Sequence, residues 1–229
     1  MPESTSFHVG LTPEGVIDAA VDLTQESHLF SWSIRDLAKR LNVAPSVIYH
    51  HVGGKDLLCR GVVERLLLTL PSPEPSLDWQ EWFRELLFSL EPVVCTYAGV
   101  AKWLLMHGPT FAGVVSIVET GMSALQRAGF GEYSGFAYSL MLNNTMMTIA
   151  AGDDRRQHEA DGPRDHAAMM QDFAAVVHNM PNAEALIRSM VAPFASAPED
   201  AAKARSTYYR FVVDTTIAGL EAWLAEEHR

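Results

Sequence analysis

The stretch from Ser33 to Leu58, SIRDLAKRLNVAPSVIYHHVGGKDLL, constrains this chain more than any other. Ile34, Leu37, Ala38 and Leu41 recur at helical spacing and mark one apolar face. Ser33 with Asp36 three residues on is a capping box that starts the helix. Asn42 tolerates the left-handed conformation that ends one. Pro45 suits the first position of a second helix, about residues 44–51, where a missing N–H costs nothing. That helix is too short to stand alone. Ile48 and Val52 must therefore point inward, which leaves Ser46, Val47, Tyr49 and His50 outside. Two short helices joined by a tight turn, the second with a small outward surface, make a helix-turn-helix.

The charge pattern fits a chain that touches a polyanion at one end only. The whole carries a net charge of −11, which argues against general coating of nucleic acid. Residues 29–65 nevertheless hold six basic side chains (Arg35, Lys39, Arg40, Lys55, Arg60, Arg65) against three acidic ones. Cys59 and Cys95 lie in apolar helical settings without metal or redox spacing, which fits a reducing cytoplasm. No stretch reaches the ~18 apolar residues of a membrane span, and no secretory leader pattern opens the chain. At 48% hydrophobic, the 229 residues can bury a sizeable core.

The rest reads as helix after helix. Thr12-Pro13-Glu14 starts a first helix that would pack across the helix-turn-helix, and residues 1–10 read as a frayed arm. Lys55 opens a helix that ends before Pro71-Ser72-Pro73-Glu74-Pro75, a stiff spacer and the clearest boundary in the chain. Two domains are expected, 1–70 and 76–229. Asp78 with Glu81 caps a helix that Pro92 should kink or interrupt. A short helix spans about 100–107, and Thr110 is expected to cap the next, which ends at Gly129. Residues 132–151 form a helix apolar nearly all round, which Gly152 should stop ahead of a polar loop, DDRRQHEADGPRD. Helices follow at about 164–179 and 183–191, and a long one from Glu199 to about Glu227, roughly 40 Å at 1.5 Å per residue. Its apolar stripe, with Tyr208, Phe211, Thr215, Gly219 and Ala222, is too wide for one neighbour. No alternating strand pattern appears. The fold class is all-α: a three-helix head that carries the helix-turn-helix, and a larger helical body.

LAKRLNVAPSVIYHHVGGKDLL resembles the DNA-binding segment of the tetracycline-repressor (TetR) family, LA-x-x-L-G-V-x-x-x-x-L-Y-x-H-V-x-x-K-x-x-L. Leu37, Ala38, Leu41, Val43, Ile48, Tyr49, His51, Val52, Lys55 and Leu58 sit at matching places; Asn42 replaces the usual Gly. The match covers roughly residues 11–60. The resemblance implies a homodimer that binds an operator and releases it when a small molecule enters the body. It also implies that two helices per subunit, 132–151 and the last, build the dimer interface.

Lys55, at a helix start, is the leading candidate for a backbone phosphate; a solvated lysine is the plain alternative. Tyr49 and His51 match positions that touch phosphate or sugar in the family; a core histidine is the plain alternative for His51. His50 can stack on or donate to the backbone, and Arg35 can reach phosphate. The recognition helix carries no Arg, Lys, Asn or Gln, the side chains that pair bidentately with bases. Base reading then rests on Ser46, on Pro45 and Val47 against thymine methyls, and on DNA shape. For the body, the family's layout points to a cavity lined by Trp103, Met106, His107, Tyr138, Asn143, Met147 and Phe173, although a Met-rich helix is more often plain core.

No Gly-rich phosphate loop, nucleophile elbow or metal-ligand spacing is present, so neither catalysis, a metal nor another cofactor is expected. The reading is a ligand-responsive DNA-binding regulator, a repressor in the first instance, with double-stranded DNA, a small apolar effector and a second copy of itself as partners. An activator, or a small-molecule-sequestering protein with a vestigial DNA head, stays open.

Overall fold

The computed structural model describes residues 11–177, 179–194 and 198–227. The expected N-terminal arm lies outside them. The head begins with α1 (Pro13–Glu26), where the Thr12 hydroxyl accepts the Gly15 N–H at 3.1 Å. Helix α2 (Ile34–Arg40) opens on the expected box: Ser33 Oγ accepts the Asp36 N–H at 3.2 Å, and Asp36 Oδ2 accepts the Ser33 N–H at 2.8 Å. Asn42 takes the left-handed turn at φ +53°. Helix α3 (Pro45–Val52) follows, and Gly53, at φ +76°, turns the chain into α4 (Lys55–Leu67). Val16, Ala20, Leu37, Ile48, Leu58 and Val62 are fully buried and close this core, with α1 packed on α2, α3 and α4.

The body holds α5 (Trp79–Thr96), α6 (Val100–His107), α7 (Val115–Ala128), α8 (Ser134–Gln157), α9 (His166–Val176), α10 (Pro181–Met190) and α11 (Pro198–Glu227). Among the described residues there is no strand. Helix α8 lies between α6 and α11, and α5 packs on α7, α8 and α11. The spacer is pinned rather than loose: Arg127 donates to the carbonyls of Pro75 and Leu77 at 2.9 and 3.2 Å.

Four expectations about boundaries need correction. Pro92 does not interrupt α5, because buried Leu90 and Val94 hold the helix on either side of the lost N–H. Gly152 does not stop α8, which runs on to Gln157. Asp153 explains the extension: it is buried, accepts the Gly99 N–H at 2.9 Å and pairs with Arg156. Thr110 does not cap α7. Phe111 is buried and stacks on Trp103 at 5.1 Å, which draws the chain onto α6 and leaves a 3-10 turn at Ala112–Val114 before α7 starts. The helix expected from about 183 begins earlier, with Pro181 as the first residue of α10, as its fixed φ favours.

Candidate functional site

The outward side of α3 is open. Pro45, Ser46, Tyr49 and His50 are exposed, Val47 and His51 are half-buried, and Arg35 is exposed at the start of α2. Tyr49 keeps 55% of its surface free, which is much for a tyrosine with no structural task here. Arg40 is not available to a ligand, since it holds Glu26 through two bonds of 2.7 Å. Lys39 is exposed and has no ion pair among the described residues. The sequence reading passed over it because it belongs to no motif position; its place in the last turn of α2, beside the reading helix, was the available signal.

Lys55 departs from expectation. Its ammonium is turned inward, donating to the carbonyls of Leu29 and Trp32 at 2.9 and 2.7 Å and lying over the Trp32 ring. Burial pulls its pKa down to about 8, against the pull of Cys59, Asp36 and Asp56. A lysine held this way fixes the 29–32 loop, and so the start of α2, rather than standing free for phosphate.

The same loop joins head to body. Leu29 N–H donates to the Ala98 carbonyl at 2.8 Å, in the turn between α5 and α6. His28 is buried against Gly99, and its Nδ1 accepts the Phe30 N–H at 3.2 Å. Its Nε2 has no partner among the described residues. Gln157, at the end of α8, donates to the Ser31 hydroxyl at 3.0 Å. A second contact lies further along: Arg60 reaches the Thr110 carbonyl at 3.3 Å, and Leu68 fills the space beside Gly113. Head and body thus meet through backbone hydrogen bonds as well as packing.

The seven residues expected to line one cavity do not do so. Trp103 is buried in the stack with Phe111 and His107. Met106, Asn143 and Met147 are exposed, and Phe173 is exposed on α9. Tyr138 lines a cavity in the middle of the body, with Leu67, Leu70, Leu86, Leu90 and Leu104. That cavity measures only about 40 Å³, little more than one water's share of liquid volume. Leucines that close on one another fill the space where a ligand was expected. Larger spaces lie elsewhere. One of about 680 Å³ is bounded by α5, α8 and α11, with Glu91, Asp153, Arg156, Arg205 and Arg210 on its walls. Another of about 320 Å³ lies among α8, α9, α10 and α11.

A long apolar groove runs between α8 and α11, about 650 Å³, lined by Tyr133, Phe136, Leu140, Gly219 and Trp223 among others. Phe136 is 74% exposed and Phe211, further along α11, 61%. A side chain at Gly219 would meet nothing within 4 Å. Among the described residues no group of His, Cys, Asp and Glu is arranged to hold a metal, and no helix is long and apolar enough to cross a membrane.

No family model matches the sequence. The tetracycline repressor protein class D of Escherichia coli is 28% identical over 156 residues, 66% of this chain and 69% of that protein. A possible TetR family transcriptional regulator from Streptomyces coelicolor superposes with a TM-score of 0.72 at 19% identity, over 92% of this chain and 98% of that one. ActR of Streptomyces coelicolor, a TetR family protein solved in complex with actinorhodin, gives 0.66 at 20% identity over 94% and 99%.

Proposed function

We propose that this chain, which belongs to the tetracycline-repressor family, is a homodimeric repressor released from a palindromic operator by a small, largely apolar effector. The observation that carries the DNA reading is the face of α3. Pro45, Ser46, Tyr49 and His50 stand clear of a head that is otherwise packed and hydrogen-bonded to its body. An enzyme reading finds no support in that arrangement. Residues 1–70 form the head in this reading, and residues 76–229 the effector-binding and dimerisation body.

Dimerisation follows from the unpartnered apolar face of α8 and α11. Burying exposed aromatic and leucine surface at about 25 cal/mol per Å² supplies a large driving force. A two-fold axis through that face would present two α3 helices at one duplex. Arg35, Lys39, Tyr49, His50 and His51 would contact the DNA backbone. Pro45, Ser46 and Val47 would meet base edges, with much of the selectivity carried by DNA shape. Lys55 acts as a positioning residue for the 29–32 loop rather than as a phosphate contact.

Two contacts can carry a signal from body to head. One is the docking of Leu29 and His28 on the α5–α6 turn, held from behind by Asp153. The other is the packing of Leu67 and Leu70 against Leu104 and Pro109. The test is selection of bound duplexes from a random pool. Enrichment of an inverted repeat with half-sites about one helical turn apart is the expected result. A pool that stays unordered after repeated rounds rejects the reading and leaves the sequestering protein in its place.

A further inference from the structure

The two large cavities of the body share Arg156 and Arg205 as a common wall. In the first, three guanidinium groups face two carboxylates. Arg210 pairs with Glu91 at 3.8 Å, and Arg156 pairs with Asp153, which also accepts the Gly99 N–H. Arg205 is the one left over: it is half-buried and has no ion pair or hydrogen bond among the described residues. The carboxylate that acts on it, Asp153, is already paired with Arg156 and is not within ion-pair distance of Arg205, so a bound anion would offset part of the desolvation cost of this half-buried guanidinium. Burial, with Arg156 close by, lowers its pKa, and Asp153 opposes that.

The second cavity is built differently. Met170, Ile187, Met190 and Phe194 give it apolar walls that fit an apolar tail, and Arg155, Arg156 and Arg205 stand around them with the carboxylates of Glu159 and Asp165. Together the spaces measure several hundred Å³, the ordinary range for a small-molecule site.

We propose that these two adjacent cavities, which share the side chains of Arg156 and Arg205, bind one amphipathic monoanion, with its carboxylate-type head on Arg205 and its apolar tail among Met170, Ile187 and Met190. The site deepens the effector reading above but does not need it, since binding is measured without DNA. Its position has a consequence. The head would sit beside Arg156 and Asp153, and Asp153 holds the Gly99 N–H in the turn on which Leu29 docks. An anion that competes for Arg156 loosens Asp153 and, through it, the seat of the head.

The experiment is calorimetric titration of the full chain with octanoate, and with n-octanol as the uncharged match. Octanoate should bind saturably, one per subunit, at least about tenfold more tightly than octanol. Arg205→Gln should lower octanoate affinity about tenfold and leave octanol unchanged, while Arg205→Lys retains a measurable part. Ala202→Trp, an exposed wall position of the first cavity, should obstruct octanoate without touching the charge. If Arg205→Gln does not fold by circular dichroism, the octanoate–octanol comparison and Ala202→Trp decide. Octanol binding as tightly as octanoate, an unaltered Arg205→Gln, or no octanoate binding up to millimolar concentration each overturn the proposal. Failure of the regulator reading shows separately, as absent duplex binding in a titration without octanoate.

Discussion

The imidazole of His28 occupies the space that a side chain at Gly99 would need. A Cβ built on Gly99 would lie 2.5 Å from His28 Cε1, and Gly99 itself sits at φ +91°. Two independent constraints therefore require glycine at the turn between α5 and α6. Gly99→Ala combines a left-handed alanine with a clash against a buried ring, and should cost about 2–4 kcal/mol of stability. Thermal unfolding measures the cost. The loss should shrink in the double variant Gly99→Ala, His28→Ala, since the clash is relieved and only the backbone strain remains.

His28 also makes the junction sensitive to acid. Because Nδ1 accepts the Phe30 N–H, the neutral ring carries its proton on Nε2. A second proton would have to enter at Nδ1 and break that bond. Burial lowers the His28 pKa below its ordinary 6.5; Lys102, Arg156 and Lys55 oppose the charge, and Asp154 alone favours it. In the unfolded chain the ring takes its proton near 6.5, while in the folded chain it resists. The unfolded state then binds more protons, so stability falls as pH drops from that value toward the lowered one. His28→Asn keeps an acceptor for Phe30 and cannot charge. Its unfolding midpoint should be flatter between neutral pH and pH ~5 than that of the native chain.

Lys55 separates two roles that the sequence could not. If it holds the 29–32 loop, Lys55→Met loses two charge-assisted hydrogen bonds to carbonyls, worth about 1–3 kcal/mol each at most. Stability and duplex affinity should both fall, with the salt slope of binding nearly unchanged. A slope reduced by about 0.9, without loss of stability, would mark a direct phosphate contact instead.

The α8–α11 face predicts assembly. Trp223 packs on Phe130 and Tyr133 with ring centroids at 6.0 and 5.0 Å, so Trp223→Asp disturbs the subunit as well as the groove. Phe136→Glu is the cleaner probe, because Phe136 stands mostly in solvent. It should leave helicity intact and turn a micromolar dimer into a monomer by sedimentation velocity. A native chain that sediments as a monomer removes the symmetric-operator account.

Local signals made the head legible: the Ser33–Asp36 box, the left-handed Asn42 and Pro45 at a helix start all stand where the residues say. The wide apolar stripes of α8 and α11 likewise announced a groove that one subunit does not fill. What was not legible depended on distant partners. Gly152 reads as a stop until Asp153 is seen to hold Gly99, which is 54 residues away. Lys55 reads as a free cation until the carbonyls of Leu29 and Trp32 close on it. The residues expected to line one central cavity do not converge on one, for the same reason. Helical spacing shows which face a residue takes, but not that Leu67, Leu70, Leu86, Leu90 and Leu104 converge and fill the centre. Arg205 carries no motif at all, and only the packing of α11 on its neighbours shows that it borders two cavities.

The central claim is that the open face of α3 reads duplex DNA. Fluorescence anisotropy on the DNA flanking the chain's own gene, across a range of salt, tests it most directly. The account predicts binding at least about 10³-fold tighter than to an unrelated duplex, with a steep salt dependence. Tyr49→Ala with His50→Ala, which removes two exposed side chains, should weaken it at least about tenfold with little change in the unfolding midpoint. Equal affinity for flanking and unrelated DNA, or a double variant that binds as the native chain does, would contradict it.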